Sequence, residues 1–204
     1  WTIKDIIKEP LDIHNIGSFS EREDAVVEIL RTVGLTPPEN YMSRYPHEIS
    51  GGQRQRVSIA RTLVMKPKFV VCDEPTSMLD VSIRISIMDL MLNLAKELDV
   101  SYLYITHDLA VARYMCNRIA VMFNGKIVEI AETEELLNNP IHPYTKRLIS
   151  SIPIPDPSYK RERYEMNFDE LDNIIQNNPN EKMVNIGSEH FVATHETKDF
   201  FIES

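Results

Sequence analysis

The sequence predicts an α/β fold, and three observations carry that expectation. The apolar run Phe69-Val70-Val71-Cys72 and the β-former-rich segment 101–106 are both of strand length. Between them lies a long amphipathic stripe, Ile83, Ile87, Leu90, Met91, Leu94 and Leu98, at helical spacing. Asn124-Gly125 then separates two further short runs, the strongest short hairpin signal a sequence can carry. Strands separated by helices pair in parallel through right-handed crossovers, which makes the central zone α/β.

Taken in order, residues 1–50 read as a helical region. Ser20 with Glu23 has the spacing of a capping box, and Ala25, Val26, Ile29, Leu30 and Val33 fall on one face. Gly34 suits the stop of that helix. A loop rich in Pro, Ser and Tyr runs from 36 to 50. The core zone, 51–153, begins with a helix over about 52–65. The strand at 69–72, the helix carrying the stripe and the strand at 101–106 follow, and then a helix to about Met115. The runs at 118–123 and 126–130 form the hairpin, and short helices near 132–138 and 144–151 close the zone. Beyond the stiff Ile154-Pro155-Asp156-Pro157, residues 154–204 form an acidic, Asn-rich extension with one β-rich stretch at 182–194.

Composition narrows function. The net charge of −9 argues against a nucleic-acid partner, because counterion release needs clustered Lys and Arg. No run has the length of a membrane-spanning helix, and the first residues lack the pattern of a signal peptide. Cys72 and Cys116 stand far apart in apolar segments, without metal-ligand spacing, which suits a reducing compartment.

The most specific string is Ile49-Ser50-Gly51-Gly52-Gln53-Arg54-Gln55-Arg56-Val57. Glycines at a helix start let backbone N–H groups approach an anion, and the helix end supplies positive partial charge. Alone, Ser-Gly-Gly also reads as a flexible loop and N-cap. Next, a strand ends in Asp73-Glu74-Pro75, at the edge where open α/β sheets bind ligands. Adjacent strand residues point to opposite faces, so the two carboxylates serve different tasks. Ser77-Met78-Leu79-Asp80 follows, in which Asp80 is a natural N-cap for the striped helix. Thr106-His107-Asp108 ends the second strand.

These strings, in this order, resemble the ATP-binding cassette (ABC) ATPases. The first is similar to the signature motif, usually Leu-Ser-Gly-Gly-Gln, with Ile49 at its head. The second is similar to the Walker B strand, the third to the D-loop with Met78 in place of the usual Ala, and the fourth to the switch histidine. The resemblance implies that Ser50, Gly51, Gly52, Gln53 and Asp80 contact nucleotide, that Asp73 holds Mg²⁺, and that Glu74 and His107 are catalytic. It implies a fold that is the C-terminal part of a P-loop NTPase-like domain, with a helical subdomain and a short appendage. Asn139-Pro140-Ile141-His142-Pro143-Tyr144-Thr145-Lys146 and Tyr45-Pro46-His47-Glu48 are similar to segments of oligopeptide and dipeptide importers. Some of these importers carry a C-terminal iron–sulfur cluster. His190 and His195 have no Cys near them, so no cluster is expected, and both read as surface histidines.

No G-x-x-x-x-G-K-[ST] occurs in the 204 residues, and the chain opens mid-pattern at Trp1. It therefore reads as a fragment that supplies the signature, Walker B, D-loop and switch histidine. Without the phosphate loop it is expected to be inactive alone, because phosphoryl transfer rests on positioning. The resemblance implies ATP and Mg²⁺ as cofactors and a second ABC ATPase subunit, identical or related, as partner. It also implies transmembrane permease subunits, an indirect link to a substrate-binding protein, and a place on the cytoplasmic face of the cell membrane. Two alternatives stay open: an ABC-superfamily ATPase acting on DNA, and a non-catalytic interaction domain. The first predicts coiled-coil heptads or a basic face, and neither is visible.

Overall fold

The computed structural model describes residues 1–151 and 182–194. They form two compact units, divided between His107 and Asp108.

The first unit opens with three helices, α1 (Ile3–Ile13), α2 (Phe19–Thr32) and α3 (Glu39–Met42), followed by a 3₁₀ turn at Pro46–Glu48. The capping box of α2 is Ser18 with Glu21, not the expected Ser20 with Glu23. Glu21 Oε2 accepts the Ser18 N–H at 2.7 Å. The helix already includes Ser20, and Glu23 accepts a 2.9 Å bond from Lys4 of α1. Gly34 ends this helix with φ +74°, the left-handed conformation that a residue without Cβ adopts freely.

Helix α4 (Gly51–Leu63) crosses α1 and α2, and its apolar face joins theirs. Ile3, Ile7, Val26, Leu30, Val57, Ala60 and Leu63 are all buried in that core. Strand β1 (Phe69–Asp73) follows, then α5 (Val81–Glu97) and β2 (Ser101–Ile105). The expected parallel pairing holds, with Phe69 opposite Ser101 and Asp73 opposite Ile105. Of the predicted stripe on α5, Ile87, Met91 and Leu94 are buried, whereas Leu98 at its end is exposed. Met88 joins them, a position the spacing did not single out.

Strand β1, apolar throughout until Asp73, is covered on one face only. Val70 and Tyr102 pack against the helical core, while Phe69, Val71, Leu103 and Ile105 are exposed. The reason is topological. Strand alternation sends every second side chain to the face that α4 and α5 do not cover.

The second unit holds α6 (Leu109–Met115), β3 (Arg118–Phe123), β4 (Lys126–Glu132), α7 (Thr133–Asn138), α8 (Pro143–Ser150), β5 (Lys182–Asn185) and β6 (Phe191–Thr194). Asn124 and Gly125 both have positive φ, as a two-residue hairpin turn of the primed type requires. Sheet order is β3-β4-β6-β5, so the β-rich stretch near the C-terminus joins the hairpin's sheet.

A buried polar cluster fastens that junction. Glu129 of β4 is fully buried and accepts the Ile141 and His142 N–H groups at 2.8 and 3.0 Å. Its Oε1 also lies 2.7 Å from His190 Nε2. His190 is 2% exposed, which corrects its reading as a surface histidine. The backbone pairing of β6 with β4 carries it inward, a contact across 61 positions that no local pattern encodes. His142 is buried too and caps α8, its Nδ1 accepting the Tyr144 N–H at 3.1 Å. His195 lies outside the described residues.

Candidate functional site

The C-terminal ends of β1 and β2 bring three of the expected residues to one place. Asp73 closes β1, Glu74 follows it, and His107 stands two residues beyond β2. Glu74 Oε1 is 2.6 Å from His107 Nδ1, and both side chains are exposed to solvent. A carboxylate accepts, so the proton of this bond belongs to Nδ1, and Nε2 is left as the imidazole's second polar atom. The Asp73 carboxylate has no hydrogen-bond or ion-pair partner among the described residues.

Glu74 adopts a left-handed backbone, with φ +43°. Few residues with a Cβ do so outside turns and functional sites. Its N–H extends the ladder by one bond, donating to Ile105 O at 3.0 Å. Its carbonyl accepts both the Ser77 N–H at 3.2 Å and the Ser77 hydroxyl at 3.0 Å. The chain thus turns sharply after β1, and the Glu74 carboxylate leaves the sheet at its end.

The signature residues occupy the first turn of α4. Ser50 is its N-cap: the hydroxyl accepts the Gln53 N–H at 3.3 Å, and Gln53 Oε1 accepts the Ser50 N–H at 3.0 Å. Helix geometry leaves the N–H groups of Gly51 and Gly52 without intrahelical acceptors. Gly52 is buried, and a Cβ there would fall 2.8 Å from Ile83 Cγ2. That close approach explains the glycine structurally, beside any role toward an anion.

Asp80 caps α5, with Oδ1 accepting the Ile83 N–H at 3.1 Å and the Ser82 hydroxyl at 2.9 Å. The Ile83 amide, and after it the Ser82 hydroxyl, hold the Asp80 carboxyl below the usual range. Met78, the departure from the D-loop pattern, is 96% exposed, so the larger side chain displaces nothing.

A cavity of about 370 Å³ adjoins these elements, lined by Gln55, Ser58 and Thr62 of α4 and by Asp73, Glu74 and Met78. It reaches the acidic end of β1 but not Ser50, Gly51, Gly52, Gln53 or Asp80. The structure therefore gathers Asp73, Glu74 and His107 in one group. It assembles the signature and Asp80 in another, around the starts of α4 and α5.

Two functional-looking residues lack any motif signal of their own. Thr76 is 3% exposed, and its hydroxyl lies 3.1 Å from the Tyr104 hydroxyl. Only the parallel pairing of β1 with β2 reveals that partnership.

Comparison with known proteins gives a consistent result. The family described as ABC transporter matches residues 3–77. The family described as oligopeptide/dipeptide transporter, C-terminal region, matches residues 128–182. The oligopeptide transport ATP-binding protein OppF of Bacillus subtilis is 46% identical over 97% of this chain and 64% of its own length. AmiF of Streptococcus pneumoniae, also an oligopeptide transport ATP-binding protein, is 53% identical over 79% of this chain and 52% of its own. The dipeptide transport ATP-binding protein DppF of Lactococcus lactis is 46% identical over 96% and 62%. The chain thus spans between 52% and 64% of the length of these relatives. A solved structure described as a metal-chelate type ABC transporter, inward-facing, superposes with a TM-score of 0.62 at 23% identity. It covers 75% of this chain and 59% of that one, a likeness of fold. On the matched segments and on the order of the motifs, the chain is similar to ABC transporter ATP-binding proteins over residues 3–77 and to the oligopeptide/dipeptide transporter C-terminal region over residues 128–182.

Proposed function

We propose that these 204 residues form part of the ATP-hydrolysing subunit of an importer for oligopeptides or dipeptides. The observation that carries the reading is the Glu74–His107 pair, joined at 2.6 Å where two parallel strands end, beside the exposed Asp73. The names of the relatives, all oligopeptide or dipeptide transport ATP-binding proteins, support the cargo class. In this reading residues 1–50 serve as the helical subdomain, 51–153 as the ATPase core and 154–204 as an extension. The triphosphate cradle is assigned to sequence outside these residues. Catalysis then requires a second ATPase subunit, so that the signature of one faces nucleotide held by the other, and permease subunits that the pair drives. The subunit works at the cytoplasmic face of the membrane. Among the described residues no helix is long and apolar enough to cross one.

The residues fit the cofactors. Asp73 is an exposed hard-oxygen ligand of the kind Mg²⁺ takes, without a partner among the described residues, and a single carboxylate suffices when phosphates and water complete the shell. When bound, the ion neutralises charge on the phosphates. Glu74 accepts the proton of the attacking water and orients it. His107 holds the Glu74 carboxylate through Nδ1 and offers Nε2 as a second contact at the site. Ser50 and the free N–H groups of Gly51 and Gly52 present a helix N-terminus that favours a phosphate oxygen.

The test separates the two acids in the full-length gene product. Asp73→Asn is expected to weaken Mg²⁺-dependent nucleotide binding. Glu74→Gln is expected to keep ATP binding and to hold the paired subunits closed. Loss of a general base lowers hydrolysis by about 10²–10⁴-fold. ATP affinity, dimerisation and turnover are measured for both variants, and near-normal turnover in Glu74→Gln rules the assignment out.

A further inference from the structure

The catalytic reading leaves the position of the Glu74 carboxylate unexplained, because an isolated chain would not choose this backbone. A left-handed residue with a Cβ persists only where its surroundings over-determine it. Two sets of contacts do so here. One is local: the Glu74 N–H on Ile105 O, and the Glu74 carbonyl under the Ser77 amide and hydroxyl. The other ties the same turn to the next strand. Thr76 points into the covered side of the unit and is 3% exposed, and its hydroxyl meets the Tyr104 hydroxyl at 3.1 Å. Tyr104 stands opposite Cys72 in the parallel register, one residue before Ile105 and three before His107. A single stretch of β2 therefore fixes the turn at both ends. Ile105 holds the Glu74 amide, and Tyr104 holds Thr76 two residues further on.

We propose that Tyr104 is a positioning residue for Glu74, acting through the Thr76 hydroxyl. Without the Tyr104–Thr76 bond, the turn 74–77 is held at one end only. The left-handed Glu74 can then relax toward a commoner conformation, and its carboxylate swings away from His107 and from the water it must orient. The phenol touches neither substrate nor reacting atoms in this account. Its effect is geometric, and misplacement of a reacting group is expensive in rate. The inference rests on the reading of Glu74 as general base, and the experiment keeps the two apart.

Tyr104→Phe, which removes one oxygen and keeps the ring, is made in the full-length gene product, alongside Thr76→Val and Thr76→Ser. Tyr104→Phe and Thr76→Val are each expected to lower kcat by about 10-fold with KM for ATP within about twofold, the pattern of an interaction that serves the transition state. Thr76→Ser keeps the hydroxyl and should restore the rate. The double variant Tyr104→Phe/Thr76→Val should be no slower than either single, because both remove the same bond. In a Glu74→Gln background, Tyr104→Phe should leave the residual rate unchanged. Wild-type kcat in Tyr104→Phe overturns the proposal, as does a loss confined to KM or a further loss in the Glu74→Gln background. If Glu74→Gln itself turns over normally, the failure lies with the general-base reading.

Discussion

Asp73, Glu74 and Thr76 lie within four positions of one another, yet their surroundings differ completely. Asp73 is exposed and has no partner among the described residues, Glu74 is exposed and paired with His107, and Thr76 is buried against Tyr104. Strand alternation followed by a left-handed turn produces this, since each step sends the next side chain to a new side. Cys72, on the covered side of β1, shows what that side does to an ionisable group. Burial pushes its thiol up to about 11 from the ordinary 9.0. The thiolate is the reactive form, so at pH 8 its population should be about 10²-fold lower than that of an ordinary cysteine. Alkylation by iodoacetamide, followed residue by residue with mass spectrometry, is expected to be correspondingly slow at Cys72 in the folded protein. It should accelerate as pH rises toward 11 and become fast on unfolding. The candidate acids and the histidine were legible as a motif, because their chemistry is written in residue type and order. Thr76 and Tyr104 were not, because a hydroxyl pair has no signature until two strands are aligned.

At the scale of elements, helix starts were the most readable features and also the easiest to misplace by a turn. Two overlapping Ser-x-x-Glu patterns precede α2, and local chemistry alone does not choose between them. In the structure Ser18 and Glu21 form the box, while Glu23 reaches Lys4 on a neighbouring helix. The start of α4 shows the same dependence. Gly51 and Gly52 suit an anion site by sequence, but Gly52 is also required by packing, with Ile83 of α5 against its Cα. Gly52→Ala gains helix propensity, yet it drives a Cβ into a branched methyl group that cannot rotate away. The net expectation is destabilisation by about 1–3 kcal/mol, the usual cost of overpacking. Equilibrium urea denaturation measures it, and Ile83→Ala in the same background should recover part of the loss. If Gly52→Ala is as stable as the parent, packing against Ile83 does not require the glycine.

Across the whole molecule, expected boundaries at 50 and 153 follow motif content, whereas the compact units divide between His107 and Asp108. In the second unit one buried group joins three elements. Glu129 satisfies two backbone amides and His190 at once, joining β4, the turn before α8 and β6. Glu129→Gln keeps the shape but sets an amide NH₂ where only an acceptor fits, so one of the donors that meet Glu129 loses its acceptor, while His190 keeps Glu135 at 3.5 Å from its Nδ1. Leaving a buried hydrogen-bonding group without its partner typically costs about 1–3 kcal/mol. Thermal denaturation should show that loss, and hydrogen exchange at Phe191–Thr194 should accelerate with it. Unchanged protection there would mean the backbone ladder alone holds β6. By itself, the sequence determined the α/β class, the parallel pairing of the strands at 69 and 101, the hairpin at Asn124-Gly125 and the candidate acids and histidine. Each of these is written in local periodicity, turn chemistry or a short ordered string. Only the tertiary structure decided which serine caps α2, that β1 and β2 are covered on one face, that Tyr104 meets Thr76, and that His190 is buried against Glu129. Those features depend on contacts between residues from 19 to 61 positions apart, and a local pattern contains no term for what a distant segment will place beside it.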